Sequence, residues 1–237
     1  MGSPLLSVFV PCYNEEQRLE KNILLIYQML LSLKKSFELI IVDDGSIDTT
    51  AQISKKLTEK HKEIVYQHYS TGPSRRENLG KAFYTARGDI VAFMDLDLSA
   101  DIASFPRLVI SIEQGNDIAI GSRYKGVRAK REFGRKIISV IYNLFMRFYF
   151  GSTLADHQCG FKAFCRQKLL PLLDAMGYDE TFVRGWFCDV ELLVRAQKKG
   201  YSIDEFSVPW KFGKQSSFDF TRELKMLPYV VKLRWRL

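Results

Sequence analysis

Short apolar runs alternate with helix-length amphipathic stretches over the first half of the chain, and this constrains the fold more than any other feature. Runs at Leu5–Val10, Phe37–Val42, Ile64–Gln67, Ile90–Met94 and Ile118–Ile120 have the length and apolar density of buried strands. Helical patterns lie between them near Glu16–Leu33, Thr49–His61, Leu79–Ala86 and Phe105–Gln114. Strand and helix in strict alternation predict an α/β fold built on a doubly wound, mainly parallel sheet. After Ser122 the rhythm changes. A loop rich in Gly, Lys and Arg leads to a long apolar helix, Arg135–Phe150. It is followed by a strand at Phe161–Cys165, helices near Lys168–Ala175 and Asp189–Lys199, and a strand at Ser202–Val208. There is no repeat, low-complexity tract or Ser/Gly linker. The expectation is one domain, 1–237, with a first half (1–122), a second half (123–215) and a basic amphipathic tail (216–237).

Charge divides the chain in the same place. Residues 1–120 hold 13 Lys and Arg against 16 Asp and Glu, whereas residues 121–237 hold 22 against 11. An acidic first half suits a cation and its ligands, and a basic second half suits an anionic partner. Four cysteines (Cys12, Cys159, Cys165, Cys188) and three histidines (His61, His68, His157) show no paired metal-ligand spacing, so zinc is not expected and the thiols are expected reduced. Leu5–Val10 is short and runs straight into Pro11, so a secretory signal is not expected, and no stretch approaches the ~20 apolar residues that cross a bilayer.

Three polar clusters directly follow apolar strands: Pro11-Cys12-Tyr13-Asn14-Glu15, Asp43-Asp44-Gly45-Ser46 and Asp95-Leu96-Asp97. Parallel strands of a doubly wound sheet share one carboxyl edge, where ligands bind, so these distant segments are expected to converge on one crevice. Asp95 and Asp97 place two carboxylates close together, which is costly unless a cation or proton compensates. Hard oxygens in twos suit Mg²⁺ or Mn²⁺ bridging to substrate phosphates. Each cluster alone has a plainer reading: a surface turn for Asp-x-Asp, and a helix N-cap region for Asp43-Asp44-Gly45.

The order PCYNEE, VDDGSIDTT, NLGKAFYTARGDIVAFMDLD and GSRY resembles the family 2 glycosyltransferases of the GT-A fold over residues 5–125. The resemblance implies that Pro11, Tyr13, Glu15, Asp43 and Asp44 contact the base and ribose of a UDP- or GDP-sugar. It implies that Asp95 and Asp97 serve its diphosphate and a Mg²⁺ or Mn²⁺ ion. Asn78, Gly80 and Lys81 lie in a segment used near the donor, with Gly-Lys-Ala where Gly-Lys-Gly is common. Through GSRY, FGRKIIS, DHQCGFKAF and WFCDVELLVRAQKKGYSIDEFSVPW, the second half resembles the dolichyl-phosphate sugar synthases. This implies that Arg123, Arg135 and Ser139 hold the phosphate of a dolichyl or polyprenyl acceptor. The Asp156–Lys162 stretch, with Gln158, Gly160 and Lys162, would shape the site beside the donor, and Asp189 is either part of the site or a helix N-terminal structural residue. CDVELL and VPW bring the match nearer to the glucosyltransferases than to the mannose synthases. Ser99 also departs from the glutamine that mannose synthases often carry there.

Arg131, Arg135, Ser139, Asn143 and Arg147 recur every four residues on the apolar helix, as a polar stripe. At ~1.5 Å per residue this helix reaches ~24 Å, short of a ~30 Å hydrocarbon core. A buried core helix with a functional stripe and a helix lying in the membrane interface both fit. In the tail, Arg222, Lys225, Lys232, Arg234 and Arg236 lie among Leu, Met, Val, Tyr and Trp, with Pro228 as a break, a composition suited to an anionic interface. The expected whole is therefore a GT-A enzyme with C-terminal amphipathic helices at the membrane interface, peripheral on the cytoplasmic face and without a spanning segment. Asp95, Asp97 and Arg123 would carry the chemistry. The rivals are a family 2 enzyme acting on a sugar hydroxyl, and a non-enzymatic nucleotide-sugar or nucleic-acid binder. A sugar acceptor needs neither the Arg123/Arg135/Ser139 set nor the apolar helix, and no base-reading motif supports nucleic acid.

Overall fold

The computed structural model describes residues 5–72, 76–125, 133–178, 184–185, 187–211 and 227–237, without the side chains of residues 76, 133–139 and 227. Seven strands form one sheet in the order β3-β2-β1-β4-β6-β5-β7. They are β1 (Leu6–Cys12), β2 (Phe37–Asp43), β3 (Ile64–His68), β4 (Ile90–Met94), β5 (Ile118–Ser122), β6 (Phe161–Cys165) and β7 (Ile203–Ser207). The helices are α1 (Leu19–Ser32), α2 (Thr50–Lys60), α3 (Arg76–Phe83), α4 (Phe105–Glu113), α5 (Phe133–Phe150), α6 (Arg166–Met176), α7 (Phe187–Lys198) and α8 (Leu227–Arg234).

The two-residue period of the strands sorts their side chains between two cores. Leu6, Val8, Val10, Leu39 and Ile41 face a core with α1, α2 and α4, while Phe9, Ile40 and Val42 face a core with α3, α6 and α7. Register brings the clusters together. Cys12 stands opposite Asp43 in parallel β1 and β2, and Phe9 opposite Phe93 in parallel β1 and β4. The turns after β1, β2 and β4 thus open on one edge, as expected.

One strand departs from the parallel pattern. β6 runs antiparallel to both β4 and β5, with Met94 opposite Phe161 and Ile120 opposite Lys162. Because it is reversed, its amino end lies at the carboxyl edge of its neighbours. The loop before it, 151–160, therefore enters the crevice from the far side, which a strand-forming pattern alone could not reveal. Local boundaries differ in smaller ways. α3 begins at Arg76 rather than Leu79, with Glu77 in its first turn, where a carboxylate complements the helix dipole. It ends early because Tyr84, Thr85 and Ala86 bond back three residues rather than four. α6 stops at Gly177, whose φ of 65° takes the chain out of the helix.

α5 packs Met146 and Phe150 against Phe187, Val190 and Val194 of α7 and Val230 and Leu233 of α8. Its other side is apolar and exposed: Ile141 60%, Leu144 53%, Phe145 41% and Phe148 92%. The two described members of the four-residue polar series, Asn143 and Arg147, differ in burial. At ~100° per residue a four-residue step turns ~40°, enough to carry one of them to the covered side and leave the other in solvent. Asn143 is buried and Arg147 exposed. Among the described residues no helix is long and apolar enough to cross a membrane. Arg131, Arg222 and Lys225 lie outside the described residues.

Candidate active site

The first part of the site is the laced pair of turns after β1 and β2. Asn14, at φ 52°, donates its backbone N–H to Ser46 Oγ (2.9 Å), and its Oδ1 accepts from the Ile47 N–H (2.9 Å). Glu15 N–H donates to Thr50 Oγ1 (2.8 Å), so the turn after β1 is clamped to the start of α2. Pro11 is half-buried and Tyr13 is 37% exposed at this rim. Glu15 pairs with Arg18, and that hydrogen bond raises the Arg18 pKa, with the charge of Asp97 adding to it. Arg18 thus stands electrostatically between Glu15 and Asp97. Sequence reading passed over it, since a lone Arg before a helix carries no motif.

Asp43 and Asp44 separate in role. Asp43 is fully buried: Oδ1 accepts from the Ser46 N–H (2.9 Å), and Oδ2 accepts from Tyr66 Oη (2.6 Å) and faces His68 Nδ1 (3.1 Å). Burial pushes its pKa up, but the bonds from Ser46, Tyr66 and His68 outweigh that and leave it lowered. It braces the turn from beneath. Asp44 is half-buried, with Oδ1 accepting from Asn78 Nδ2 (2.5 Å), which brings α3 to the crevice. Gly72 runs against the Asp44 carbonyl so closely that a Cβ there would lie 1.6 Å from the oxygen. Lys81 lies 3.4 Å from the Tyr178 ring centroid, and Tyr178 Oη donates to Asn78 Oδ1 (3.2 Å). A Cβ on Gly80 would lie 3.7 Å from the Leu173 side chain, an ordinary contact.

The second part follows β4. Leu96 is buried, its carbonyl held by Asn22 Nδ2 (2.9 Å), while Asp95 on one side of it is half-buried and Asp97 on the other is exposed. Asp97 is exposed and accepts from the Ser99 N–H (2.9 Å) and Oγ (2.7 Å). Leu98, at φ 52°, makes the turn tight. Among the described residues no group of three or more His, Cys, Asp or Glu gathers to cage an ion unaided. Two carboxylates, with the remaining positions left to substrate phosphates and water, are the donor set that Mg²⁺ and Mn²⁺ take. The residues present fit such an ion.

The third part stands at the ends of β5 and β6. Arg123 is 8% exposed; Nε and Nη2 donate to Asp156 Oδ2 and Oδ1, both at 2.7 Å, and its backbone N–H donates to Oδ2 (3.0 Å). Burial lowers the Arg123 pKa, but the Asp156 charge more than restores it. The Asp156 carboxyl is likewise held below its usual range against burial. The guanidinium carbon also lies 5.3 Å from the Trp210 ring centroid. The Glu205 carboxylate accepts from the N–H groups of Ala155 (3.0 Å) and Asp156 (2.9 Å). His157 is buried, with Nδ1 2.9 Å from Asn143 Oδ1 and Nε2 2.8 Å from Ser152 Oγ, which clips α5 to the loop. The half-buried Gln158 donates its N–H to Asp156 Oδ1 (3.3 Å). Lys162 is fully buried, bonds the Cys159 carbonyl and lies 3.6 Å from Asp189 Oδ1 in the first turn of α7. Arg135 and Ser139 fall on α5, but their side chains lie outside the described residues. The sequence places the Asp156–Lys162 stretch at the site, but not the pairing of Asp156 with Arg123, the clip made by His157 or the brace made by Glu205.

Residues 7–172 match the family model described as Glycosyl transferase family 2. Glycosyltransferase AglD of Haloferax volcanii is 35% identical over 98% of this chain, which spans only 37% of that protein. Dolichyl-phosphate beta-glucosyltransferase ALG5A of Trichomonas vaginalis and the dolichyl-phosphate beta-glucosyltransferase of Dictyostelium discoideum are each 30% identical over 98% of this chain, which covers 73% and 74% of their lengths. Among solved structures, glucosyl-3-phosphoglycerate synthase from Mycobacterium tuberculosis in complex with UDP superposes with a TM-score of 0.69 at 20% identity, covering 98% of this chain and 80% of that one. The same synthase, solved with Mn²⁺, UDP and glucosyl-3-phosphoglycerate, gives 0.67 at 19% identity, covering 98% and 80%. These two likenesses establish the fold.

Proposed function

The chain belongs to glycosyl transferase family 2, and from that premise we propose that it moves a hexose, glucose before mannose, from a nucleotide diphosphate sugar to a dolichyl or polyprenyl phosphate. The observation that carries this reading is the reversal of β6. It sets Asp95 and the Arg123–Asp156 pair on one edge of the sheet. A carboxylate pair suited to a metal-bound diphosphate then shares that edge with a guanidinium suited to a second phosphate. The dolichyl-phosphate glucosyltransferases among the relatives support the same acceptor class.

In this reading Tyr13, Glu15 and Asp44 line the nucleoside side, with Asp43 bracing them. Asp95 and Asp97 would hold Mg²⁺ or Mn²⁺, which when bound neutralises charge on the departing diphosphate. A phosphomonoester has a second pKa of ~6, so the acceptor is largely ionised at neutral pH and needs no general base. One of its oxygens attacks the anomeric carbon as the bond to the diphosphate breaks, which inverts the configuration. Arg123, with Arg135 and Ser139 on α5, would place the acceptor phosphate. Catalysis then rests on orientation and charge neutralisation.

The membrane enters through α5 and α8. The outward residues Ile141, Leu144, Phe145, Phe148, Val231 and Trp235 are all at least 41% exposed, and the exposed Arg147, Lys232, Arg234 and Arg236 lie near them in the chain. An apolar face edged with cations suits an anionic bilayer surface, where a lipid-linked acceptor resides. The deciding experiment offers UDP-glucose, GDP-mannose and UDP-N-acetylglucosamine with dolichyl phosphate and Mg²⁺ or Mn²⁺. A lipid-linked glucose is the expected product; transfer only to a sugar hydroxyl would overturn the proposal.

A further inference from the structure

The loop before β6 touches both ends of the proposed reaction within five residues. At one end, Asp156 grips Arg123 by both sides of its fork and by its backbone N–H. At the other, Gly160 accepts the Asp95 N–H through its carbonyl (3.0 Å) and lies directly against the Asp95 carboxylate, where a Cβ would sit 2.0 Å from Oδ2. Between them the loop is held at successive positions. Glu205 takes the N–H groups of Ala155 and Asp156, and Asn143 Oδ1 takes the His157 N–H (3.1 Å). Four residue steps reach at most ~14 Å, so this segment limits how far apart its two anchored groups can stand.

We infer that residues 156–160 form a positioning loop that sets the acceptor arginine against the donor carboxylate. Asp156 acts through Arg123 and Gly160 through Asp95; neither touches the reacting atoms. The bidentate grip fixes the plane of the guanidinium and leaves the Nη1 amino group outside the fork, which is what an oriented phosphate contact requires. The missing side chain at 160 is what lets the Asp95 carboxylate lie over the strand end. The inference rests on the proposed acceptor role of Arg123.

The test compares Asp156→Asn, Gly160→Ala and Arg123→Ala in the full chain. Initial rates are measured with undecaprenyl phosphate, UDP-glucose and Mn²⁺, and UDP–Mn²⁺ binding is measured separately by calorimetry. Asp156→Asn is expected to raise the acceptor KM at least tenfold while UDP binding stays within twofold. Gly160→Ala is expected to weaken UDP–Mn²⁺ binding at least tenfold while the acceptor KM stays within twofold. If Asp156→Asn fails to fold, Glu205→Gln disturbs the seat of Asp156 from behind and must show the same acceptor-only loss. Equal losses on both substrates, or an unchanged acceptor KM beside a defective Arg123→Ala, overturn the inference. An Arg123→Ala enzyme with normal acceptor KM overturns instead the role of Arg123 on which it rests.

Discussion

Acidification from pH 7.5 to 4.5 is expected to destabilise the protein through His157 before any carboxylate contributes much. The ring is fully buried, and burial lowers its pKa from 6.5 to about 4; the Asp156 charge opposes this, while Lys162 and Arg147 add to it. Between those values the unfolded chain binds a proton that the folded chain refuses. Stability is therefore complete above pH 6.5 and falls as pH drops towards about 4. At 1.36 kcal/mol per pH unit, the shift from 6.5 to about 4 amounts to about 3 kcal/mol. With a urea dependence of ~3 kcal/mol per molar for a chain of this size, the midpoint should fall by about 1 M. Urea titrations at half-unit pH intervals measure it, with His157→Gln as the control that removes the titration and flattens the curve over this window. One competing effect has the opposite sign. A charged ring would offer both N–H groups, to Asn143 Oδ1 and to Ser152 Oγ. If those bonds outweighed burial, stability would rise on acidification, and that result would refute the reasoning.

The remaining expectations address the surface, the metal pair and the turn. Phe148→Asp and Trp235→Asp alter side chains 92% and 86% exposed, so the melting temperature should hold. Each apolar ring seated in the interface is worth ~1.5–3 kcal/mol, so co-sedimentation with anionic liposomes should weaken at least tenfold per change. Unchanged binding would remove the membrane role from this face. Asp97→Asn should cut transfer by roughly a hundredfold or more and weaken UDP–Mn²⁺ binding, while leaving the fold intact because Asp97 is exposed and accepts from the neighbouring Ser99. Tyr66→Phe removes a 2.6 Å bond to the buried Asp43 carboxylate and should cost ~1–3 kcal/mol. Asp43 is stabilising above its unfolded pKa and loses that contribution as pH falls through its lowered folded value. Weakening the depression should therefore start acid unfolding at a higher pH, and an unshifted acid limb would show that Tyr66 does not hold the carboxyl down.

Local pattern alone determined a good deal of this molecule. Strand periodicity placed the strands before each polar cluster, and alternation with helices made the leading strands parallel. Those two facts put Tyr13, Asp44, Asp95 and Asp97 at one edge before any coordinates. A period of two or 3.6 is a property of neighbouring residues, so it is legible in a linear chain. Three things were not legible there. The direction of β6 depends on which strand it joins, and Phe161–Cys165 reads the same either way. The difference between Asp43, consumed by Ser46, Tyr66 and His68, and Asp44, at the rim, is a matter of burial that adjacent aspartates do not encode. The resemblance assigns Arg123 to the acceptor phosphate, but its carboxylate partner lies 33 residues away and meets it only because β6 returns antiparallel. The sequence determined which polar residues stand at the strand ends; long-range pairing, decided by the packing of the whole sheet, determined which of them reach the crevice and which hold the others in place.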